Sequence, residues 1–153
     1  MEEIIKHFKM IAHPEGGYYS ETYRSEINIP GMNRQLMTAI YFLLPSGQSS
    51  NFHKIKSDEL WFYHSGSPLI VHTLDEKGHQ KHHLGMNLQN GEQPQILVKS
   101  DVIFGSTVKE DNSYSLVSCV VAPGFDFRDF KLYDTSSLLK LFPNHKEIIQ
   151  QLT

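Results

Sequence analysis

Within the stretch Gly47 to Gly66, GQSSNFHKIKSDELWFYHSG, two side chains could move protons or bind a cation: His53 and Glu59. A histidine beside a carboxylate has its tautomer fixed and its basicity raised, which suits a general base. The pair could instead ligate a divalent metal, or form a purely structural hydrogen bond. Catalytic metal sites normally use three protein ligands, and only two are offered here. The favoured reading is a polar, metal-free pair: His53 and Glu59 are the catalytic candidates, and no cofactor is expected. If a divalent metal binds, the same two residues are its ligands.

Other residues qualify as substrate-binding candidates. Glu15 follows a proline and precedes Gly16 and Gly17, which let the backbone approach other groups closely. Along Tyr18 to Ile27, Tyr19, Glu21 and Tyr23 alternate with Tyr18, Ser20, Thr22 and Arg24, so one set must face inward. Thr22 and Arg24 could orient an anionic ligand, an arginine fork being well matched to a carboxylate or phosphate. Trp61 and Tyr63 share the parity of Glu59 and could wall an apolar pocket. Their simpler role is barrel core. His79, His82 and His83 follow an Asp75–Gly78 turn and read as a solvated hairpin.

The elements that must position these residues are mostly short strands. Glu2 to Met10 reads as a helix with Ile4, Ile5, Phe8 and Ile11 on one face, ended by His13-Pro-Glu-Gly-Gly17. Strands are expected at Tyr18–Ile27, Thr38–Leu44, both arms of a hairpin inside Gly47–Gly66, Leu69–Leu74, Gln80–Leu84, Gln95–Val98, Val102–Val108 and Tyr114–Val121. Two small helices, Ser136–Phe142 and Lys146–Leu152, flank Pro143-Asn144. Many short strands with helices only at the ends argue for a β-sandwich or small barrel.

The chain has 153 residues, read as one domain over 1–153, and 39% hydrophobic with 20% charged residues is ordinary for a globular protein. A net charge of -3 without a basic cluster argues against nucleic-acid partners. The acidic start MEEIIKHFKM reads as neither signal peptide nor membrane span, so the expected location is cytoplasmic. The one cysteine, Cys119, lies in an apolar strand and reads as a buried thiol.

Gly47, His53, Glu59 and Gly66 fall in register with the cupin pattern G-x5-H-x-H-x3-4-E-x6-G, with Ile55 where the second histidine would be. In the second cupin motif, P-x-G-x2-H-x3-N, Lys99, Asp101 and Phe104 replace proline, glycine and histidine. Further runs resemble a small single-domain cupin family: HPEGGYYSETYRS from His13 to Ser25, TAIYFLL from Thr38 to Leu44, and Ser57 to Trp61. Leu84-Gly85, Gly91 to Gln95 and the SLVSCVVAPGFDFRDF run from Ser115 to Phe130 complete the likeness. The resemblance implies an all-β double-stranded β-helix, the jelly-roll cupin barrel, with short terminal helices and a homodimer. Its similarity to sugar-nucleotide epimerase cupins suggests a metal-independent epimerase or isomerase acting on a small polar or sugar-like metabolite. The alternative is a non-catalytic small-molecule binding module, and third comes a metal-dependent oxygenase or hydrolase.

Overall fold

Strands with one apolar face must bury it, and here eleven of them do so as two facing antiparallel sheets, a jelly-roll β-barrel. The structure, a computed structural model, describes residues 1–153. In chain order the elements are α1 (Glu2–His7), β1 (Ile11–Ala12), β2 (Tyr18–Arg24), β3 (Thr38–Pro45), β4 (Ser49–Lys54) and β5 (Asp58–Gly66). They continue with β6 (Leu69–Asp75), β7 (Gly78–Leu84), β8 (Gln95–Val98), β9 (Ile103–Val108), β10 (Tyr114–Ala122) and β11 (Lys131–Leu132). The chain closes with α2 (Thr135–Leu141) and α3 (Lys146–Gln151). One sheet has the order β1-β2-β3-β10-β5-β8 and the other β11-β4-β9-β6-β7.

Three cores follow from this layering. Phe42, Trp61, Val71, Phe104 and Val117 belong to the cluster between the sheets. A second, with Phe52, Leu74, Ile103, Leu138, Ile149 and Leu152, seals the outer face of the five-stranded sheet under α2 and α3. A third packs α1 through Ile4, Ile5 and Phe8 against Leu43 and Leu116. The terminal helices therefore cover apolar sheet faces that would otherwise meet water.

The expected hairpin inside Gly47–Gly66 does not form. β4 lies in the five-stranded sheet between β11 and β9, and β5 lies in the other between β10 and β8. Ile55 to Ser57 cross from one sheet to the other, as a jelly roll requires. The first helix is shorter than its periodicity suggests: Lys9 turns to φ 50 and the chain leaves the helix before Met10.

Two β-bulges re-aim side chains. In β2, Glu21 pairs with Ile40 and Tyr23 with Ala39, leaving Thr22 as the extra residue. In β4, Ser50 pairs with Ser106 and His53 with Phe104, so Asn51 and Phe52 share the space opposite Gly105. A side chain at Gly105 would press on the Ser50 carbonyl and on Leu152, so glycine is needed under this bulge. Ser50 and His53 thereby both face inward, while Phe52 joins the outer core.

Candidate functional site

One end of the barrel holds a cavity of about 320 Å³ lined by both sheets and by the turn before β2. The six-stranded sheet contributes Glu59 and Trp61 from β5, Cys119 and Val121 from β10, and Thr38, Ile40 and Phe42 from β3. The five-stranded sheet contributes His53, and the His13–Gly17 turn contributes His13 and Glu15. Phe125, Asp126 and Phe127, on the segment after β10, stand at the cavity as well.

The turn is locked in place by its glycines. Gly16 has φ 114, and a Cβ there would overlap the Ser49 carbonyl oxygen. With the chain so close, the Glu15 carbonyl accepts the Asn51 amide at 2.7 Å and the Glu15 carboxyl enters the barrel. Its Oε1 accepts the Ser50 hydroxyl at 2.8 Å, and its Oε2 lies 3.1 Å from His53 Nε2 and 3.4 Å from His13 Nδ1. His53 Nδ1 is 2.7 Å from the Asn51 carbonyl. The partner of His53 is thus Glu15, not Glu59, because β4 and β5 stand in different sheets.

Glu59 instead hydrogen-bonds the Cys119 thiol. Burial, with the Glu15 charge as a second cause, pushes its pKa up to about 8, so the group is protonated at neutral pH. Burial raises Glu15 too, while His13 and Ser50 pull the other way. Burial lowers His53 to about 4, against a smaller opposing effect of the Asn51 carbonyl, so its imidazole is neutral. His13 is also lowered by burial, with Glu15 opposing. Cys119 is buried, and desolvation together with Glu59 lifts its thiol far above the ordinary value.

Arg24 is brought to the cavity and Thr22 is not. Tyr19 and Glu21 face inward up to the bulge, and the extra residue restores Arg24 to that side opposite Thr38. Thr22 is exposed and donates to the Ala39 carbonyl at 3.1 Å. The Arg24 fork is already occupied by Glu21, at 2.9 and 2.6 Å, and its remaining terminal nitrogen reaches Gln35 and the Phe125 carbonyl. It does not stand free for an anion. Trp61 lines the cavity with an indole N–H that has no partner, whereas Tyr63 lies beyond the cavity end and donates to the Gly66 carbonyl. Two residues of rise along the strand, about 6.6 Å, separate the two aromatic rings' positions. Of the site residues expected from sequence, the cavity brings together His53, Glu59, Glu15, Arg24 and Trp61.

His13, Glu21 and Cys119 line the cavity without having been singled out for it. For His13 the signal was present in its place beside Glu15 in the HPEGG run, but a histidine before a turn proline carries no mark of direction.

A metal does not fit this donor set. Ile55 lines the cavity without a lone pair, and the Phe104 ring packs on His53 at 4.2 Å between centroids. His53 Nε2, the nitrogen a metal would need, faces Glu15. No three His, Cys, Asp or Glu side chains converge in metal-holding geometry anywhere in the chain. His72 and His79, on β6 and β7, form a pair at 2.9 Å, and His72 also meets Thr107. No helix is long and apolar enough to cross a membrane.

Comparison with known proteins agrees with this architecture. The family model described as Cupin_5, "Cupin superfamily (DUF985)", matches residues 2–133. The crystal structure of protein SO0799 from Shewanella oneidensis is 41% identical, with a TM-score of 0.94 over 99% of this chain and 96% of that one. A hypothetical protein from Leishmania major is 39% identical, with a TM-score of 0.91 over 99% and 97% of the two chains. The uncharacterized protein YML079W of Saccharomyces cerevisiae is 29% identical, covering 84% of this chain and 73% of its own length. A likeness in fold alone extends to oxalate decarboxylase of Bacillus subtilis, 18% identical with a TM-score of 0.59 over 93% of this chain and 37% of that one.

Proposed function

The chain belongs to the Cupin_5 (DUF985) family of the cupin superfamily, and on that premise we propose that its barrel binds a small polar or sugar-like metabolite and moves protons on it without a metal. The reaction class is isomerase or epimerase. The observation that carries this reading is the division of one cavity between unlike titratable groups. Glu59, protonated up to about pH 8, stands on one sheet. The Glu15–His53 pair, whose imidazole stays neutral above about pH 4, belongs to the other sheet and the turn beside it. Groups whose surroundings push their pKa values apart within one pocket suit paired acid and base roles.

The cavity volume is at the small end of ligand sites, in keeping with a metabolite of about one sugar's size. Glu59, Glu15 and His53 are the titratable core; Trp61 and Arg24 shape the space around a ligand. A non-catalytic binding module is the second reading, favoured by one observation: both His53 nitrogens already have protein partners. The reading places the chain in the cytoplasm as a homodimer, to which the exposed Leu97 on edge strand β8 would lend apolar area.

A thermal-shift screen of uncharged sugars and hydroxy-carbonyl compounds, followed by proton NMR of each hit in D2O, tests the proposal. Deuterium entry at carbon, lost in Glu59→Gln, is the expected result. A hit that binds and exchanges no proton leaves the binding module in possession.

A further inference from the structure

We propose that His13, rather than His53, is the catalytic histidine that meets the ligand, with Glu15 and His53 behind it as a positioning pair. This rests on the proton-transfer reading of the cavity and moves its working nitrogen onto a residue outside both sheets.

The hydrogen bonds leave little choice. A carbonyl oxygen only accepts, so the Asn51 carbonyl at 2.7 Å requires a proton on His53 Nδ1. Neutral His53 then carries a lone pair on Nε2, directed at Glu15 Oε2 at 3.1 Å. That contact is a hydrogen bond only when one proton lies between the two atoms. Both His53 nitrogens are therefore spent inside the protein.

Glu15 is spent as well, with Ser50 on Oε1 and the two histidines sharing Oε2. His13 differs. Its Nδ1 accepts the Glu15 backbone N–H at 3.3 Å and stands 3.4 Å from Glu15 Oε2. Its Nε2, across the ring, has no protein partner, and His13 lines the cavity. Tyr19 and Phe130 meet the ring edge-on and Phe127 stacks on it, so its orientation is set by packing.

The series Asn51–His53–Glu15–His13 thus ends at one free nitrogen in the cavity, carrying a proton while Nδ1 accepts. Proton accounting for enolisation of a carbonyl compound closes on these groups. In the molecules whose Glu59 is ionised, a fraction that grows as pH rises toward 8, Glu59 takes the proton from the carbon next to the carbonyl, and His13 Nε2 gives its proton to the carbonyl oxygen. The proton between Glu15 and His53 passes to His13 Nδ1, leaving Glu15 as carboxylate and His13 neutral. The reverse steps regenerate the starting state, with no net oxidation. A neutral imidazole serving as the hydrogen-bond acid opposite a glutamate base has precedent in triosephosphate isomerase.

Two measurements decide the matter. Long-range proton–nitrogen NMR of the wild-type protein labelled with nitrogen-15 histidine reads the tautomers directly. His13 is expected as the Nε2–H form and His53 as the Nδ1–H form; His13 with its proton on Nδ1, or His53 protonated on Nε2, overturns the assignment. Deuterium incorporation into dihydroxyacetone and D-glyceraldehyde, used as uncharged probes, then compares the variants, with folding followed by circular dichroism. His13→Gln is expected to lose the reaction by about 100-fold or more and His53→Gln by about 10-fold. Exchange that survives His13→Gln but disappears in Glu59→Gln overturns the His13 role and leaves the proposed function standing. Absence of exchange in the wild type counts against the proposed function, while the tautomer spectrum still decides the arrangement of His13.

Discussion

Glu15 Oε2 stands 3.1 Å from His53 Nε2, a contact between the turn before β2 and a bulged strand of the five-stranded sheet. It replaces the His53–Glu59 pair that chain order suggests. The consequence is a cavity with two separate polar centres, Glu59–Cys119 on one wall and His13–Glu15–His53 on the other.

The buried histidines make the fold acid-sensitive. His53 and His72 are lowered from 6.5 to about 4, burial being the leading cause for both. Between those values the unfolded chain takes up protons that the folded one refuses, so their stabilising effect is complete above pH 6.5 and lost as pH falls toward 4. Calorimetry is expected to show the melting temperature dropping by more than about 5 °C from about pH 7 to about pH 5. A flat profile over that range would refute the burial argument.

Glu59 acts with the opposite sign. Its pKa rises from 4.5 to about 8 on folding, so its contribution is complete below pH 4.5 and is lost as pH rises through 8. Glu59→Gln removes the titration while keeping the shape. Measured against wild type, the variant is expected to gain stability steadily from about pH 4.5 to about pH 8 and to level off above it, and a pH-independent difference would rule out a protonated Glu59.

The two motif glycines of the Gly47–Gly66 stretch are unequal. Both have positive φ, but a Cβ at Gly66 would overlap the Tyr114 carbonyl, whereas one at Gly47 meets nothing within 4 Å. Gly66→Ala is expected to cost more than about 3 kcal/mol in urea unfolding, and Gly47→Ala about 1 kcal/mol. Equal losses would contradict the close strand approach at Gly66.

The bulge in β2 separates Thr22 from Arg24. Thr22→Val removes one exposed hydrogen bond and is expected to stay within about 0.5 kcal/mol of wild type, with unchanged affinity for any ligand found. Arg24→Ala leaves Glu21 unpaired at the cavity and should weaken the same ligand several-fold by calorimetric titration. Thr22→Val weakening it as much would place the bulge elsewhere.

Cys119 is expected to be inert in the native state. With 1% of its surface exposed and its thiol held protonated, it should react with a disulfide reagent only at the rate of unfolding. Rapid labelling of the folded protein would show that the cavity opens.

Much of this was legible along the chain. The strands at Gln95–Val98 and Thr38–Leu44 follow from their apolar runs and flanking turns, the second running one residue further, to Pro45, in the structure. What misled was parity. Counting alternate residues from Tyr18 puts Arg24 with Thr22 and away from Glu21, but a bulge shifts the count by one and sets Glu21 and Arg24 on the same side.

Alternation and turn chemistry, which act over a few residues, determined the strand series and a β-sandwich or small barrel, and the cupin resemblance carried by the motifs narrowed that to the jelly roll. Only the tertiary structure decided which carboxylate each histidine meets. His53 and Glu59 are close in sequence yet fold into different sheets, while Glu15 reaches His53 through two glycines and a bulge. Such contacts depend on backbone approach between distant segments, which no local spacing records.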